Sequence, residues 1–531
     1  MPATPPASVT TRTVGVASPH FRATRLAEEA IRGGANAIEA ALTAAVALTV
    51  LYPHQCSLGG DLVALVRDSK RDVRSVISVG AAAQATDASA IPGDGRRMLG
   101  RGAHTITVPG IVAGWMAIAG PDYAPALARA FRAAAQIAED GEPVSRGLAR
   151  ALESTWGVIG TDPGMRSVFS RDGEPLIEGD LLRQPQLAHT LRELADDPNG
   201  FYSGAVARRV AEGLERAGSP VDERDLRSHV VHEEAPLSLT RGGVTWSVAP
   251  PPSQGIAFLA LRASEPGEAN AGGAKASLIE RAIVAAGVRD ALLADVGDDG
   301  VAVSLDDFLS AIAAADRVLP DPGVVRPAGD TMAISAVDSD GLAVTIVQSI
   351  YQTFGSGICD PATGIVFHNR GAAFSLDPAH PAYIRPGHRP PHTLTPVFAE
   401  SESGDVTAMG CQGGRAQPWI LGQLADRLID ADEDLTSSLS ADRWIFGAQD
   451  IDQPAPAIVV EGAVVPDDML AAGARRGWDA VALGRRVDVA GHVQVVRSVR
   501  GRIEAATDPR ADGAARVILS EPTSVGNIAV T

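Results

Sequence analysis

A Thr at the first position of a β-strand can be a nucleophile if a base stands beside it. Thr331 is such a residue: it follows Gly329-Asp330 and opens the strand Met332 to Val337. Asp338-Ser339-Asp340-Gly341 then supplies a turn, and Ala343 to Ser349 a second strand rich in β-branched residues. The hairpin thus carries one hydroxyl at its entry, Thr331, and another near its exit, Ser349. Taken alone it suits an ordinary turn before an ordinary strand equally well, since such hairpins are common. His388 and His392 stand four apart, a spacing that helical metal ligands use. Pro386, Pro390 and Pro391 forbid a helix there, so neither a metal nor another cofactor is expected.

The elements that must hold these residues are legible from local signals. Phe21 to Arg32 reads as a helix stopped by Gly33-Gly34. Asn36, with Glu39 three residues on, forms a capping box for a second helix through about Val50. That helix is Ala-rich and apolar on most faces, which predicts burial. Pro53 ends it, and Ser57-Leu58-Gly59-Gly60-Asp61 leads into the strand Leu62 to Arg67. Helices are expected to begin near Val112, to run from Ala205 to Ala217, and to span Ile256 to Arg262, with an exposed loop over Ser264 to Lys275. The tail from Val517 to Thr531 has no reading.

With 531 residues the chain can bury a large core. Its 45% hydrophobic and 21% charged content are ordinary for a soluble protein. A net charge of −18 argues against a nucleic-acid or anionic-membrane surface, which needs clustered Lys and Arg. Cys56, Cys359 and Cys411 form no disulfide framework. The start, Met-Pro-Ala-Thr-Pro-Pro-Ala-Ser, does not look like a secretory signal, and the apolar stretch Ala40 to Tyr52 is too short to span a bilayer. The chain therefore reads as soluble, intracellular and cytoplasmic.

The hairpin and an ordered set of flanking motifs resemble the gamma-glutamyltranspeptidase family of N-terminal-nucleophile hydrolases. The set comprises Gly33-Gly34-Ala35-Asn36, Pro53-His54, Gly59-Gly60, Thr107-Val108-Pro109-Gly110, Gly200-Phe201-Tyr202-Ser203-Gly204, Pro251-Pro252-Ser253-Gln254-Gly255, Gly364 to Asn369, Arg389-Pro390, Gly413-Gly414 and Thr507-Asp508-Pro509-Arg510. It covers the chain from about residue 14 to about residue 515. The resemblance implies an α+β fold, a four-layer αββα sandwich. It also implies self-cleavage between Asp330 and Thr331, giving a large piece, 1–330, and a small piece, 331–531, within one intertwined domain. Thr331 would then be the nucleophile and its freed α-amino group the base, whose ordinary pKa of about 7.7–8.0 suits proton transfer near neutrality. Ser349 stands where the family keeps a second hydroxyl. Gly413 and Gly414 match its glycine pair, where backbone N–H groups approach an oxyanion unobstructed by a Cβ.

The departures from the family pattern concern the substrate. An Arg that holds a glutamate α-carboxylate aligns with Ser78, in Ser78-Val79-Gly80-Ala81-Ala82. The acid that holds the α-amino group aligns with Ala373, in Asn369-Arg370-Gly371-Ala372-Ala373-Phe374. The family's serine pair aligns with His392-Thr393, and its Asn beyond the second hydroxyl with Tyr351. Asn369, Arg370, Tyr351, His392 and Thr393 are thus the expected substrate contacts. Arg370 would repel a γ-glutamyl ammonium and attract a carboxylate, or it would pair with a protein acid. The pattern is similar to a branch that holds oxamate amidohydrolase-like and cephalosporin-acylase-like members. The leading expectation is a self-processed hydrolase or acyltransferase acting on a small molecule. A C–C hydrolase releasing an oxalyl unit in a natural-product pathway is the second reading, and an uncut binding protein the third. Beyond the pairing of its own two pieces, the oligomeric state stays open.

Overall fold

The hairpin lies at the middle of the molecule. Asp330–Asp338 and Ala343–Tyr351 pair antiparallel, and every residue in both strands is buried. Such strands read as near-continuous apolar runs because both sheet faces are covered. The computed structural model describes residues 11–263, 277–295, 302–315, 330–447 and 455–520. The expected loop over Ser264 to Lys275 and Gly329 lie outside them.

A seven-stranded sheet grows outward from the hairpin. Beyond Asp330–Asp338 come Arg12–Ser18 and then Ala514–Ser520; beyond Ala343–Tyr351 come Asp61–Arg67, Val73–Ser78 and His232–Glu234. The first residues of the tail left unread from the sequence therefore close one edge of this sheet. A six-stranded antiparallel sheet packs against it, in the order Arg502–Thr507, Val493–Val499, Val406–Cys411, Val397–Ser401, Val244–Val248 and Leu237–Arg241. Ala333 and Val347 of the hairpin meet Val63, Ile77, Val79, Ala249 and Leu394 between the sheets.

Helices cover both outer faces. Ala37–Leu51 lies on the first sheet, buried throughout except at Glu39 and Thr43, and packs with Met332, Ile334, Val344 and Ile346. Its start is fixed as the sequence predicts: Asn36 Oδ1 accepts from Glu39 N at 3.0 Å, and Glu39 Oε2 accepts from Asn36 N at 3.0 Å. The helix expected near Val112 starts at Ile111 and runs to Asp140, broken at Gly120, where Pro121 follows. Gly255–Ala263, Leu278–Leu292 and Gln417–Ala425 cover the second sheet through Phe258, Leu259, Trp419 and Ile420. The result is the α+β, four-layer αββα sandwich. Residues on both sides of the Asp330–Thr331 bond supply strands to both sheets. No helix among the described residues is long and apolar enough to cross a membrane.

Gly410 marks a close approach of the sheets. A Cβ there would sit 3.0 Å from Thr345 Cγ2, 3.0 Å from Val347 Cγ2 and 3.1 Å from Ala333 Cβ. Gly410→Val should overpack this contact and cost about 1–3 kcal/mol. Thermal unfolding checks this: the variant should melt several degrees below wild type, and an unchanged midpoint would contradict the packing described.

Candidate active site

The hairpin is irregular where its chemistry would be. Asp330 pairs with Tyr351 and Met332 with Gln348, so Thr331 alone faces Ser349 and Ile350 across a β-bulge. Tyr351, next in line, has φ +78°, a left-handed conformation that costs a bulky side chain strain. The bulge aims Ser349 at the backbone beside Thr331. Ser349 Oγ accepts from Tyr351 N at 2.7 Å, which leaves its own proton for the carbonyl oxygen of Asp330, and it donates there. Thr331 is fully buried, and its Oγ accepts from Gln417 Nε2 at 3.3 Å. Gln417 is held in that orientation because its Oε1 accepts from Thr395 N at 2.9 Å.

Gly413 and Gly414 lie between two residues that touch the hairpin entry. Gln412 Nε2 donates to Asp330 Oδ1 at 3.4 Å, and Gln417 holds Thr331 from the other side. Both glycines have positive φ, +142° and +50°, which side-chain-bearing residues rarely adopt. Gln254 Nε2 donates to Gly414 O at 2.8 Å and fixes the turn.

Behind Ser349 stands a group that the sequence reading passed over. Asp61 is the register partner of Ser349 on the neighbouring strand. Its Oδ1 accepts from Gly80 N at 3.1 Å and Gly110 N at 3.2 Å, while its Oδ2 meets His368 Nδ1 at 3.2 Å and His392 Nε2 at 3.3 Å. Burial would raise the Asp61 carboxyl, but His368 and His392 outweigh it and hold it below the usual carboxylate range. Burial and then the Arg370 charge push His392 down to about 3, so its imidazole is neutral. His392 Nδ1 accepts from Leu394 N at 3.4 Å, so Nε2 carries the proton given to Asp61.

A cavity of about 280 Å³ opens beside this group. Tyr351, Arg370, His392, Thr393 and Ala373 line it, as do Arg96, Arg97, Arg289 and Arg415, against the acids Asp290 and Asp377. Arg370 is buried, stacks 3.6 Å from the centre of the Tyr351 ring, and donates to Thr393 Oγ1 at 3.0 Å and Pro391 O at 3.3 Å. Arg289 and Arg415 both pair with Asp290, and the wall keeps an excess of arginines over acids, which suits an anionic ligand.

The structure brings most of the sequence candidates together, in two groups. Asp330, Thr331, Ser349, Gly413 and Gly414 cluster at the hairpin entry, and Tyr351, Arg370, His392 and Thr393 share the cavity. Asn369 is not among the lining residues: its Nδ2 donates to Gly100 O and to Gln352 Oε1, and its Oδ1 accepts from Gln352 N. Ser78 is not there either; its Oγ donates to Gly110 O at 2.6 Å. Thr331 itself does not line the cavity in this uncut chain. Arg96, Arg97, Arg289 and Arg415 were missed. Arg415, directly after the glycine pair, was the one with a local signal; the others reach the cavity only through the fold.

Comparison with known proteins agrees with this architecture. Residues 23–518 match the family profile described as Gamma-glutamyltranspeptidase. The chain is 36% identical over 526 residues to the oxamate amidohydrolase proenzyme of Klebsiella pneumoniae subsp. pneumoniae, covering 96% of this chain and 99% of the relative. It is 29% identical to the glutathione hydrolase-like YwrD proenzyme of Bacillus subtilis, covering 81% of this chain and 85% of that one. The crystal structure of cephalosporin acylase from Bacillus halodurans superposes with a TM-score of 0.80 at 26% identity, covering 97% of this chain and 98% of that chain. With the profile spanning almost the whole chain and a full-length relative at this identity, the protein belongs to the gamma-glutamyltranspeptidase family and is an enzyme of the hydrolase and acyltransferase kind.

Proposed function

We propose that the chain cuts itself between Asp330 and Thr331 and then hydrolyses or transfers the acyl group of a carboxylate-bearing amide. The observation that carries this reading is the hydroxyl of Ser349 donating to the Asp330 carbonyl, directly before a buried Thr. In the first stage Thr331 Oγ adds to the Asp330 carbonyl carbon, and Ser349 polarises the oxygen. The C–N bond breaks, the Oγ proton passes to the Thr331 nitrogen, and an ester remains. Water then hydrolyses the ester and leaves Thr331 with a free α-amino group. In the second stage that amine takes the Oγ proton while Thr331 attacks the donor amide. Backbone N–H groups of Gly413 and Gly414 receive the oxyanion. The leaving amine departs with a proton, and water or an acceptor amine resolves the acyl-enzyme.

The cationic cavity supports an acidic donor. Arg370 stands where a family clamp would hold an ammonium, and four further arginines surround it. The Klebsiella relative is named for oxamate, an amide whose carbonyl carries a carboxylate directly. The Bacillus relative is named as glutathione hydrolase-like, so a γ-glutamyl donor is the competing substrate class.

Self-cleavage is checked by a denaturing gel and N-terminal sequencing. Purified wild type should give two fragments, the smaller beginning at Thr331, and Thr331→Ala should give one uncut chain without activity. A small fragment with another first residue would refute the assignment; an uncut wild-type chain would leave a binding protein.

Donor class is checked by kcat/KM for oxamate and glutaryl-p-nitroanilide beside γ-glutamyl-p-nitroanilide. Wild type should prefer the acidic donors. Losing one charged contact costs roughly 1.5–3 kcal/mol, so Arg370→Gln should lower kcat/KM for the acidic donors about 10- to 150-fold more than for the γ-glutamyl one. A wild-type preference for the γ-glutamyl donor, with ratios unchanged in Arg370→Gln, would return the chain to glutamyl chemistry.

A further inference from the structure

A second cavity, of about 400 Å³, shares no lining residue with the cationic one, and Asp330 forms part of its wall. Thr353 Oγ1 donates to Asp330 Oδ2 and Gln412 Nε2 to Oδ1, so the carboxylate is fixed in place at the chamber's edge. The charged residues farther along the wall are matched: Asp512 Oδ2 accepts from Tyr52 Oη at 2.9 Å and Asp512 Oδ1 pairs with Arg146 at 3.0 Å, while Asp488 pairs with Arg150 at 3.2 Å. The residues nearer Asp330 are different. Nδ1 of His492, Nδ1 of His54, Oε1 of Gln55 and Oε1 of Gln412 have no hydrogen-bond partner among the described residues, and His492 Nε2 only approaches Asp488 Oδ1, at 3.8 Å. All four side chains line this chamber and are more than nine-tenths buried. Buried polar atoms in a roomy polar cavity call for ordered water, each molecule of which needs about 30 Å³.

From this geometry we infer that Asp330 is not only the residue before the cut but also the base that completes it, drawing its water from this chamber. The inference rests on the self-cleavage proposed above. The Asp330 carboxylate is joined to the reacting carbonyl through only Cα and Cβ, so a water bound to Oδ lies beside that carbon. Ser349 holds the carbonyl oxygen, and Gln417 holds Thr331 Oγ. The two Asp330 carboxylate oxygens face Thr353 and Gln412 instead, which suits a role in the second half of the reaction rather than the first. In that half, water oxygen bonds to the Asp330 carbonyl carbon while Oδ takes one of its protons. The ester C–O bond then breaks, and Thr331 Oγ leaves with the proton that Asp330 Oδ took, which regenerates the base. Asp330 ends with a new α-carboxylate and Thr331 with a free hydroxyl and amine. Burial, working against the Thr353 and Gln412 hydrogen bonds, raises the Asp330 carboxyl to about 6, which makes its anion a better proton acceptor than an ordinary carboxylate.

The test follows the full chain from cell-free synthesis through cleavage, with and without neutral hydroxylamine, which opens an ester without a general base. Asp330→Asn keeps the size of the side chain and should slow cleavage by about 10²–10⁴-fold, the usual contribution of a positioned base. Hydroxylamine should restore most of that loss in the folded protein. Thr353→Val frees the carboxylate to turn away; it should slow cleavage less, with the same rescue. Thr331→Ala should stay whole under hydroxylamine; if it is cut, the Thr331 reading fails and this one with it. A whole Thr331→Ala beside an Asp330→Asn that cuts at the wild-type rate overturns the role of Asp330 alone. So does an Asp330→Asn or Thr353→Val chain that melts like wild type, stays uncut and is not rescued.

Discussion

The chemistry proposed for this molecule depends on one hydrogen bond, from the Ser349 hydroxyl to the carbonyl oxygen of Asp330. It exists because a bulge sets Thr331 against two residues of the facing strand and because Tyr351 accepts a left-handed backbone. A regular hairpin would pair the Asp330 carbonyl into the ladder and turn the Ser349 side chain elsewhere. The bulge sits between two closely packed sheets, with Gly410 of one against Ala333, Thr345 and Val347 of the other. The stability of the packed sandwich offsets the local strain at this bulge.

The two stages of the proposed chemistry draw on two separate cavities. One is the chamber that Asp330, His492 and Gln412 line; the other is the cationic cavity of Arg370 and its neighbours. Thr331 is fully buried and lines neither cavity. Asp61 ties the stages together: it sits opposite Ser349 in the sheet and holds His392, which lines the donor cavity. A carboxylate kept ionised by buried imidazoles and backbone N–H groups is a rigid anchor rather than a proton carrier.

How far the sequence could be read follows from the range of each interaction. The hairpin, its turn, the Asn36–Glu39 capping box and the start of the helix at Ile111 rest on neighbours within a few residues, and each was legible. The order of the hairpin and the glycine pair along the chain was legible as a family motif. Asp61 was not, because its partners His368 and His392 are some three hundred residues away and nothing local distinguishes it from a strand-start acid. The cationic wall was hidden for the same reason: Arg96, Arg97, Arg289 and Arg415 come from separate elements. Reading a lost carboxylate clamp from Ser78 missed that the cavity is richer in cations than one position can tell. Asn369 looked like a substrate contact by position, yet its amide is spent bracing Gln352 and Gly100. The strand Ala514–Ser520 has no signal apart from its pairing with Arg12–Ser18 at the other end of the chain.

The central claim is that the Ser349 hydroxyl prepares the Asp330 carbonyl for attack. The direct measurement is the first-order rate at which newly made full-length chain is converted to two fragments, in wild type and in Ser349→Ala. Removing one oxyanion donor commonly costs about 10²–10³ in rate, so Ser349→Ala chains that melt like wild type should remain whole long after wild type has been cut. Cleavage of Ser349→Ala at the wild-type rate would contradict the account.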